Sequence, residues 1–155
     1  METKLINEQG GKTYAVVFDK GEEVMAGLED FARKNNLGGS HLTAIGGFSG
    51  MTLGYFDRER KEYKKIPLDM QVEVLSLVGD ITIEEGKPKV HAHVVVGLAD
   101  GRTRGGHILE AHVWPTLEVI VIESPRHLQR KTDPETDNKR TNFAYLYQLA
   151  SPSDS

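Results

Sequence analysis

Apolar and polar residues alternate along several short stretches of the chain, and this period of two is the pattern of strands with one buried face. β-Branched and aromatic residues dominate these stretches, and turn-forming residues bound them. The pattern predicts strands at residues 13–18, 71–78, 90–97 and 117–122. In the second of these, the alternation places four side chains on one side: Val72, Val74, Ser76 and Val78.

Residues 41–57 also alternate, but they are rich in glycine. Glycine inside a strand marks a bulge or a close approach between two backbones. We therefore predict two strands here, joined or bulged around Gly46, Gly47 and Gly50. These glycines are expected to bring neighbouring backbones together.

One stretch, residues 21–36, has a helical period instead. Glu22 and Glu23 stand at its start, where the helix dipole favours acidic side chains, and Gly38 offers a stop. We predict the principal helix of the fold here. The apolar residues that recur at helical spacing are Val24, Met25, Leu28, Phe31 and Ala32.

The remaining stretches are polar or lack a clear period. Residues 61–65 are charged and are predicted to be mobile, and residues 131–140 are predicted to form a polar loop. Residues 142–149 suit a final strand or a short helix, and residues 151–155 suit a frayed tail. One helix among six or more short strands predicts an α+β fold built on an antiparallel sheet, in a single domain spanning residues 1–150.

The composition is that of a folded protein, since 38% of the 155 residues are apolar and 27% are charged. The chain has no cysteine, which excludes disulfides, thiolate metal sites and a cysteine nucleophile. Any transition metal must therefore be held by nitrogen and oxygen ligands. The start of the chain lacks a signal-peptide pattern, and no stretch is apolar enough to span a bilayer, so we expect a cytoplasmic protein with no membrane partner.

The net charge is −4, which argues mildly against nucleic acid because dedicated binders usually carry a basic face. Residues 126–140 are the best local basic candidate, but Asp133, Glu135 and Asp137 interrupt them. We interpret this stretch as a solvated loop. Its basic residues are Arg126, Arg130, Lys131, Lys139 and Arg140.

Three histidines have a spacing that brings them together. His91 and His93 are two apart in a predicted strand, so they project from the same face. A chain reversal at Asp100 and Gly101 would return the chain antiparallel and place His107 beside His93. Three imidazoles with an open fourth position match the pattern expected for a divalent metal, Zn²⁺ foremost.

The alternative interpretation of these histidines is structural, because paired histidines in a strand also occur as satisfied polar pairs or in subunit interfaces. His112 has the opposite parity to His107, so it is left out of the ligand set. His41 and His127 have no partner at a recognisable spacing and receive no role.

Three segments together resemble the PPC domain, the plant and prokaryote conserved domain: AIGGFSGMTLGYFD from Ala44, QVEVLSLVGDI from Gln71 and HAHVVVGLADGRTRGGHILEAHVWPTLEVIVIE from His91. The resemblance implies a mixed, largely antiparallel sheet flanked by one principal helix and assembled as a homotrimer. It also implies a histidine site near the subunit boundary, matched here by His91, His93 and His107.

Plant members of this family use an acidic segment for contacts with other proteins, and the matching segment here is centred on Glu73. Those members accompany AT-hooks, which insert arginines into the minor groove. This chain has no Arg-Gly-Arg-Pro segment and has Gln71 and Val72 where the plant segment carries an arginine and an aromatic residue. A DNA-associated role is therefore implied by the family name more than by this chain.

Three hypotheses about function follow. The first is a DNA-associated or regulatory homotrimer whose metal is structural. The second is a metal-dependent enzyme or small-molecule binder, with Glu73 or Glu118 as a candidate general base and Arg102 or Arg104 as a candidate anion-binding residue. The third is a purely structural trimer. Solvated or edge positions are the alternative interpretation of Glu118 and of the two arginines.

Overall fold

The computed structural model describes residues 1–7, 11–123, 129–132 and 139–142. Within these ranges the chain forms a nine-stranded sheet and one helix, which confirms the α+β prediction. None of the helical structure described is long and apolar enough to cross a membrane. In chain order the elements are β1 (Glu2–Asn7), β2 (Thr13–Phe18), α1 (Val24–Lys34), β3 (Gly39–Asp57), β4 (Glu62–Leu68), β5 (Val72–Glu84), β6 (Lys87–Gly97), β7 (Thr103–Glu123), β8 (Gln129–Thr132) and β9 (Lys139–Asn142).

Four strands surround the core. β3 pairs with β5 and with β7, and β6 also pairs with both β5 and β7, so the hydrogen-bonded pairs form a closed circuit. β2 and β1 extend the sheet from β7, and β4 extends it from β3. β8 pairs with β5 in parallel, which makes the sheet mixed. Buried apolar side chains line the strands of the circuit, among them Phe48, Leu77, Val94 and Val113.

The helix α1 covers one side of this core. Its buried residues are Val24, Leu28, Phe31 and Ala32, and the ring of Phe31 meets that of Tyr14 edge-on at 5.2 Å between centroids. The carboxylate of Glu23 caps the helix by accepting hydrogen bonds from the amides of Met25 and Ala26. The helix ends at Lys34, before the predicted stop at Gly38, because Asn36 already has a left-handed backbone, with φ of 53°.

The strand β3 is a single strand of 19 residues with several register shifts between Ala44 and Gly50, which confirms the bulged form of the prediction. A Cβ atom on Gly46 would lie 2.3 Å from the carbonyl oxygen of Thr116. A Cβ on Gly47 would lie 2.4 Å from that of Trp114. Both glycines therefore let β3 and β7 approach closely.

Replacing Gly46 with alanine is expected to lower the free energy of unfolding by about 2 kcal/mol or more, because it adds backbone strain to a steric clash. Gly46 has φ of +147°, and the clash is with backbone, which cannot rotate away. Urea denaturation measures the change. Gly50→Ala is the matched control in the same strand, since its Cβ would approach only one atom, the carbonyl oxygen of Leu68, at 3.4 Å. Equal stability of the two variants would contradict this account.

The predicted face of β5 is wrong beyond Val74. The register of β5 against β6 shifts between Val74 and Ser76, so Leu77 becomes buried and Val78 becomes exposed. A bulge inserts one extra residue and moves every later side chain to the opposite face. The alternation predicted for residues 71–78 therefore holds only for their first half.

Four further elements differ in extent from the predictions or were not predicted. Residues 2–7 form β1, although no strand was predicted there, and the predicted mobile stretch 61–65 lies mainly in the edge strand β4. Residues 117–122 are the end of the long strand β7 rather than a separate strand. At the two ends of the predicted polar loop, β8 and β9 pair as antiparallel strands. Most of the predicted terminal element, residues 143–149, and the tail 151–155 lie outside the described residues.

Candidate metal centre

The hairpin of β6 and β7 positions the histidines. On β6, Ala92, Val94 and Val96 are buried, so the side chains of alternate parity, including His91 and His93, leave the core on the outer face. The reversal occurs at Gly101 as predicted, where φ is +79°. Its backbone hydrogen bonds run from the amide of Gly101 to Leu98 and from the amide of Leu98 to Arg102.

The register of this hairpin places His93 directly opposite His107. One ring nitrogen from each of His91, His93 and His107 lies within 4.8 Å of the other two. The centroids of the three rings are 5.1 to 5.4 Å apart. Three nitrogens bound to one tetrahedral metal at about 2.0–2.1 Å would be about 3.3 Å apart, so small side-chain rotations would close the set.

The electrostatics of the cluster favour neutral imidazole at His93. Burial lowers the pKa of His93, and the nearby charge of His91 lowers it further. Metal ions bind neutral imidazole, so a lowered pKa keeps the binding form present to a lower pH. His93 is therefore favoured in the neutral form that binds a metal ion.

Two other side chains contact the cluster, and neither was predicted from the sequence. Asp80 on β5 lies opposite His91, with 3.9 Å between its Oδ2 and Nδ1 of His91. Tyr63 on β4 stacks on His107, with 4.7 Å between ring centroids and 23° between planes. Extending the predicted strand at 71–78 by two residues would have found Asp80. Tyr63 lies in the stretch 61–65, which was predicted to be mobile because it is rich in charged residues.

Neither of the other two histidines that the structure describes joins the cluster. Nε2 of His112 lies 3.0 Å from Oε1 of Glu110, on the exposed side of β7. His41 is an exposed residue of β3 whose register partner in β5 is Asp80. His127 lies outside the described residues.

The structure does not bring Glu73 to the histidines. Glu73 is exposed and pairs with Gly97, four residues from His93 along β6, or about 13 Å at strand spacing. It lines a surface pocket that also includes Gln71 and Leu98. Glu118 is likewise distant, since it is an exposed residue of β7 whose partners are in β2 and β3.

Arg102 lies at the tip of the hairpin, where it pairs with Asp100. Its Nε and Nη2 are both 2.6 Å from Oδ2 of Asp100, and its backbone amide donates to Oδ1 at 3.0 Å. These hydrogen bonds lower the pKa of Asp100. The geometry is that of an Asx turn, which fits the solvated-turn interpretation of Arg102. Arg104 is exposed on β7, opposite Val96.

An exposed apolar face adjoins the histidines. One row of register partners crosses the sheet and ends at the histidines. It runs from Ile120 of β7 through Thr43 of β3, Val78 of β5 and His93 of β6 to His107. Directly paired residues share a face of a sheet, so the apolar side chains and the imidazoles are neighbours. We call this surface the apolar face. Its members and exposures are Ile45 60%, Leu75 54%, Val78 47%, Val95 43%, Ile120 38% and Ile122 48%.

The chain is similar to several solved structures. A plant- and prokaryote-conserved (PPC) protein from Pyrococcus horikoshii is 32% identical, with a TM-score of 0.77 over 87% of this chain and 91% of that one. A metal-containing protein from Archaeoglobus fulgidus is 32% identical, with a TM-score of 0.80 over 90% and 99% of the two chains. A candidate DNA-binding protein from Ralstonia eutropha JMP134 is 31% identical, with a TM-score of 0.82 over 90% and 95%.

The curated relatives are longer proteins. The bifunctional protein GlmU of Synechococcus sp. strain JA-3-3Ab is 29% identical over 145 residues, which cover 92% of this chain but 22% of that protein. The chain therefore spans about a fifth of the length of the curated relatives it matches.

The model of the Plants and Prokaryotes Conserved (PCC) domain matches residues 6–125, most of the chain, and confirms the resemblance. The chain belongs to the Plants and Prokaryotes Conserved domain family.

Proposed function

We propose that this protein is a divalent-metal-binding, homotrimeric member of its family with a DNA-associated or regulatory role. The convergence of His91, His93 and His107 carries the proposal. Three imidazoles in a chain without cysteine form an all-nitrogen donor set, which suits Zn²⁺ with one open position. A zinc ion so bound would polarise an oxygen ligand at that position and lower the pKa of bound water.

Two observations support this donor set as a metal centre rather than a structural histidine cluster. The carboxylate of Asp80 lies behind His91, and metal-bound histidines commonly turn their second ring nitrogen toward a carboxylate. The relative from Archaeoglobus fulgidus, at 32% identity, is a metal-containing protein. The enzyme alternative is supported by the open coordination position alone. Its two candidate general bases, Glu73 and Glu118, lie away from the histidines.

Cobalt substitution tests the metal centre. Co²⁺ added to the metal-free protein is expected to give visible absorption bands of the intensity typical of tetrahedral coordination, saturating at one ion per chain. Zn²⁺ should then displace the cobalt and remove the bands. Bands that require more than one ion per chain, or that persist when the histidines are replaced, would place the metal elsewhere.

The apolar face supports the homotrimer. Six large aliphatic side chains, each 38% or more exposed, lie on one face of the sheet. Contiguous apolar surface of this kind marks an interaction site in a soluble protein. We propose that copies of this chain cover it, which would place the metal centre at the edge of the subunit boundary.

The hairpin of β3 and β4 supports the DNA-associated part of the proposal. Its tip and its second strand carry exposed basic residues, and Tyr55 on its first strand is 67% exposed. Lysine and arginine bind phosphates, and exposed aromatic rings can stack on bases. The relative from Ralstonia eutropha is a candidate DNA-binding protein at 31% identity. The basic residues are Arg58, Arg60, Lys61, Lys64 and Lys65.

Binding to mixed-sequence duplex DNA is expected in the micromolar range and should weaken as salt rises, because phosphate contacts release counterions. Replacing both Arg58 and Arg60 with glutamate should weaken binding and reduce the slope of log K against log salt by about 0.9 for each lost phosphate contact. Fluorescence anisotropy across a salt series measures both. Lys87→Glu, at an exposed residue of β6, is the control. An affinity with no salt dependence would reject the DNA role.

A further inference from the structure

We propose that Tyr63 is a positioning residue for the metal ligand His107, which it holds by ring stacking. This inference rests on the metal centre proposed above and extends it to a residue on a different strand. The site would then include β4 as well as the β6–β7 hairpin. The ring of Tyr63 lies 4.7 Å from that of His107 and nearly parallel to it.

Gly54 makes this contact possible. In β3, Gly54 pairs with His107 on one side and with Lys65 of β4 on the other, so it lies between the two strands that carry the stacked rings. A Cβ atom at Gly54 would lie 2.8 Å from Cδ1 of Tyr63 and 3.2 Å from Cγ of Leu109. The missing side chain therefore leaves the space through which Tyr63 reaches across β3.

The ring of Tyr63 is itself supported. Phe56 pairs with Tyr63 in the β3–β4 ladder and meets it edge-on, with 5.4 Å between centroids and 67° between planes. Aromatic rings prefer this edge-to-face geometry. The rings of Phe56, Tyr63 and His107 therefore form one continuous aromatic cluster, which restricts the rotation of His107.

Restricting His107 favours metal binding because less side-chain entropy is lost when the nitrogen is fixed on the ion. Mutation of an outer residue that orients a metal ligand by a hydrogen bond typically lowers metal affinity by about 10–100-fold. A stacked ring provides a weaker constraint, of the size of an aromatic pair. Its loss is expected to weaken binding about two- to tenfold.

The test compares Tyr63→Leu with Tyr63→Phe in the full chain. Zn²⁺ affinity, measured by competition with a chromophoric chelator, should fall about two- to tenfold in Tyr63→Leu and stay within twofold of the wild type in Tyr63→Phe. The visible spectrum of the Co²⁺ form should change in the leucine variant only. Glu62→Leu is the matched control, a change to leucine at the exposed residue that precedes Tyr63 in β4.

Two further measurements keep the inference falsifiable if Tyr63→Leu folds poorly. Gly54→Ala should displace the Tyr63 ring and weaken Zn²⁺ binding in the same direction. In the metal-free wild type, proton NMR should show contacts between the rings of Tyr63 and His107. If the wild type binds no metal, the proposed function fails. If the wild type binds metal and neither Tyr63→Leu nor Gly54→Ala changes affinity, or the ring contacts are missing, the positioning role is wrong.

Discussion

Replacing His91 with alanine is expected to lower Zn²⁺ affinity more than about 100-fold, since even outer-shell changes cost about 10–100-fold and this one removes a ligand. Two of the three nitrogens in the cluster would remain, and no cysteine can substitute. The fold should persist, because His91 points away from the buried residues of β6. Competition titration measures the affinity, and circular dichroism checks the fold.

His112→Ala is the matched control for this prediction. It removes an imidazole from β7, but His112 interacts with Glu110 and lies outside the cluster. Its zinc affinity should equal that of the wild type. A His91→Ala variant that changes only stability, with zinc binding intact, would favour the purely structural hypothesis and reject the metal centre.

Replacing Ile45 with glutamate is expected to convert the proposed homotrimer into monomers of 17.2 kDa. Ile45 is the most exposed member of the apolar face, at 60%, and lies away from the histidines. In an assembly that covers this face, the new carboxylate would be buried without a partner, at a cost of several kcal/mol per chain. Light scattering coupled to size-exclusion chromatography measures the mass.

Met70→Glu is the control for the assembly. Met70 is 52% exposed, but it lies in the connection between β4 and β5, outside the apolar face. This variant should keep the mass of the wild type. If Ile45→Glu also keeps that mass, the apolar face is not the interface.

The geometry of the histidine hairpin could be predicted from the sequence because its determinants are local. The period of two places His91 and His93 on one face, and the turn at Gly101 sets the register that brings His107 opposite His93. The pairing of β6 with β7 has no register shift between His93 and Gly97. The bulge next to this stretch has its extra residue in β5, not in β6. Parity counting therefore holds across the site.

The apolar face could not be predicted in the same way. The bulge in β5 reverses the faces of Leu77 and Val78, and a bulge depends on pairing between distant strands. The run from Val119 to Ile122 is apolar on both faces, a pattern that indicates coverage on both sides of a sheet without saying what covers the outer one. In the single chain the outer side chains Ile120 and Ile122 are exposed.

The edge strands and the residues around the histidine cluster were missed for a related reason. The sequence of β4, EYKKIPL, is charged, and charge is common in edge strands because it discourages pairing with other chains. Composition alone therefore indicated a loop, and Tyr63 was lost with it. Asp80 was missed because the predicted strand ended at Val78, whereas β5 continues to Glu84.

Native mass spectrometry of protein purified without chelator and then supplied with Zn²⁺ reports metal content and assembly together, so it tests the metal centre and the homotrimer in one measurement. We expect a species of three chains that carries three zinc ions, and a His91→Ala variant of three chains that carries none. A wild-type protein that remains free of zinc after this treatment would contradict the metal centre built on His91, His93 and His107.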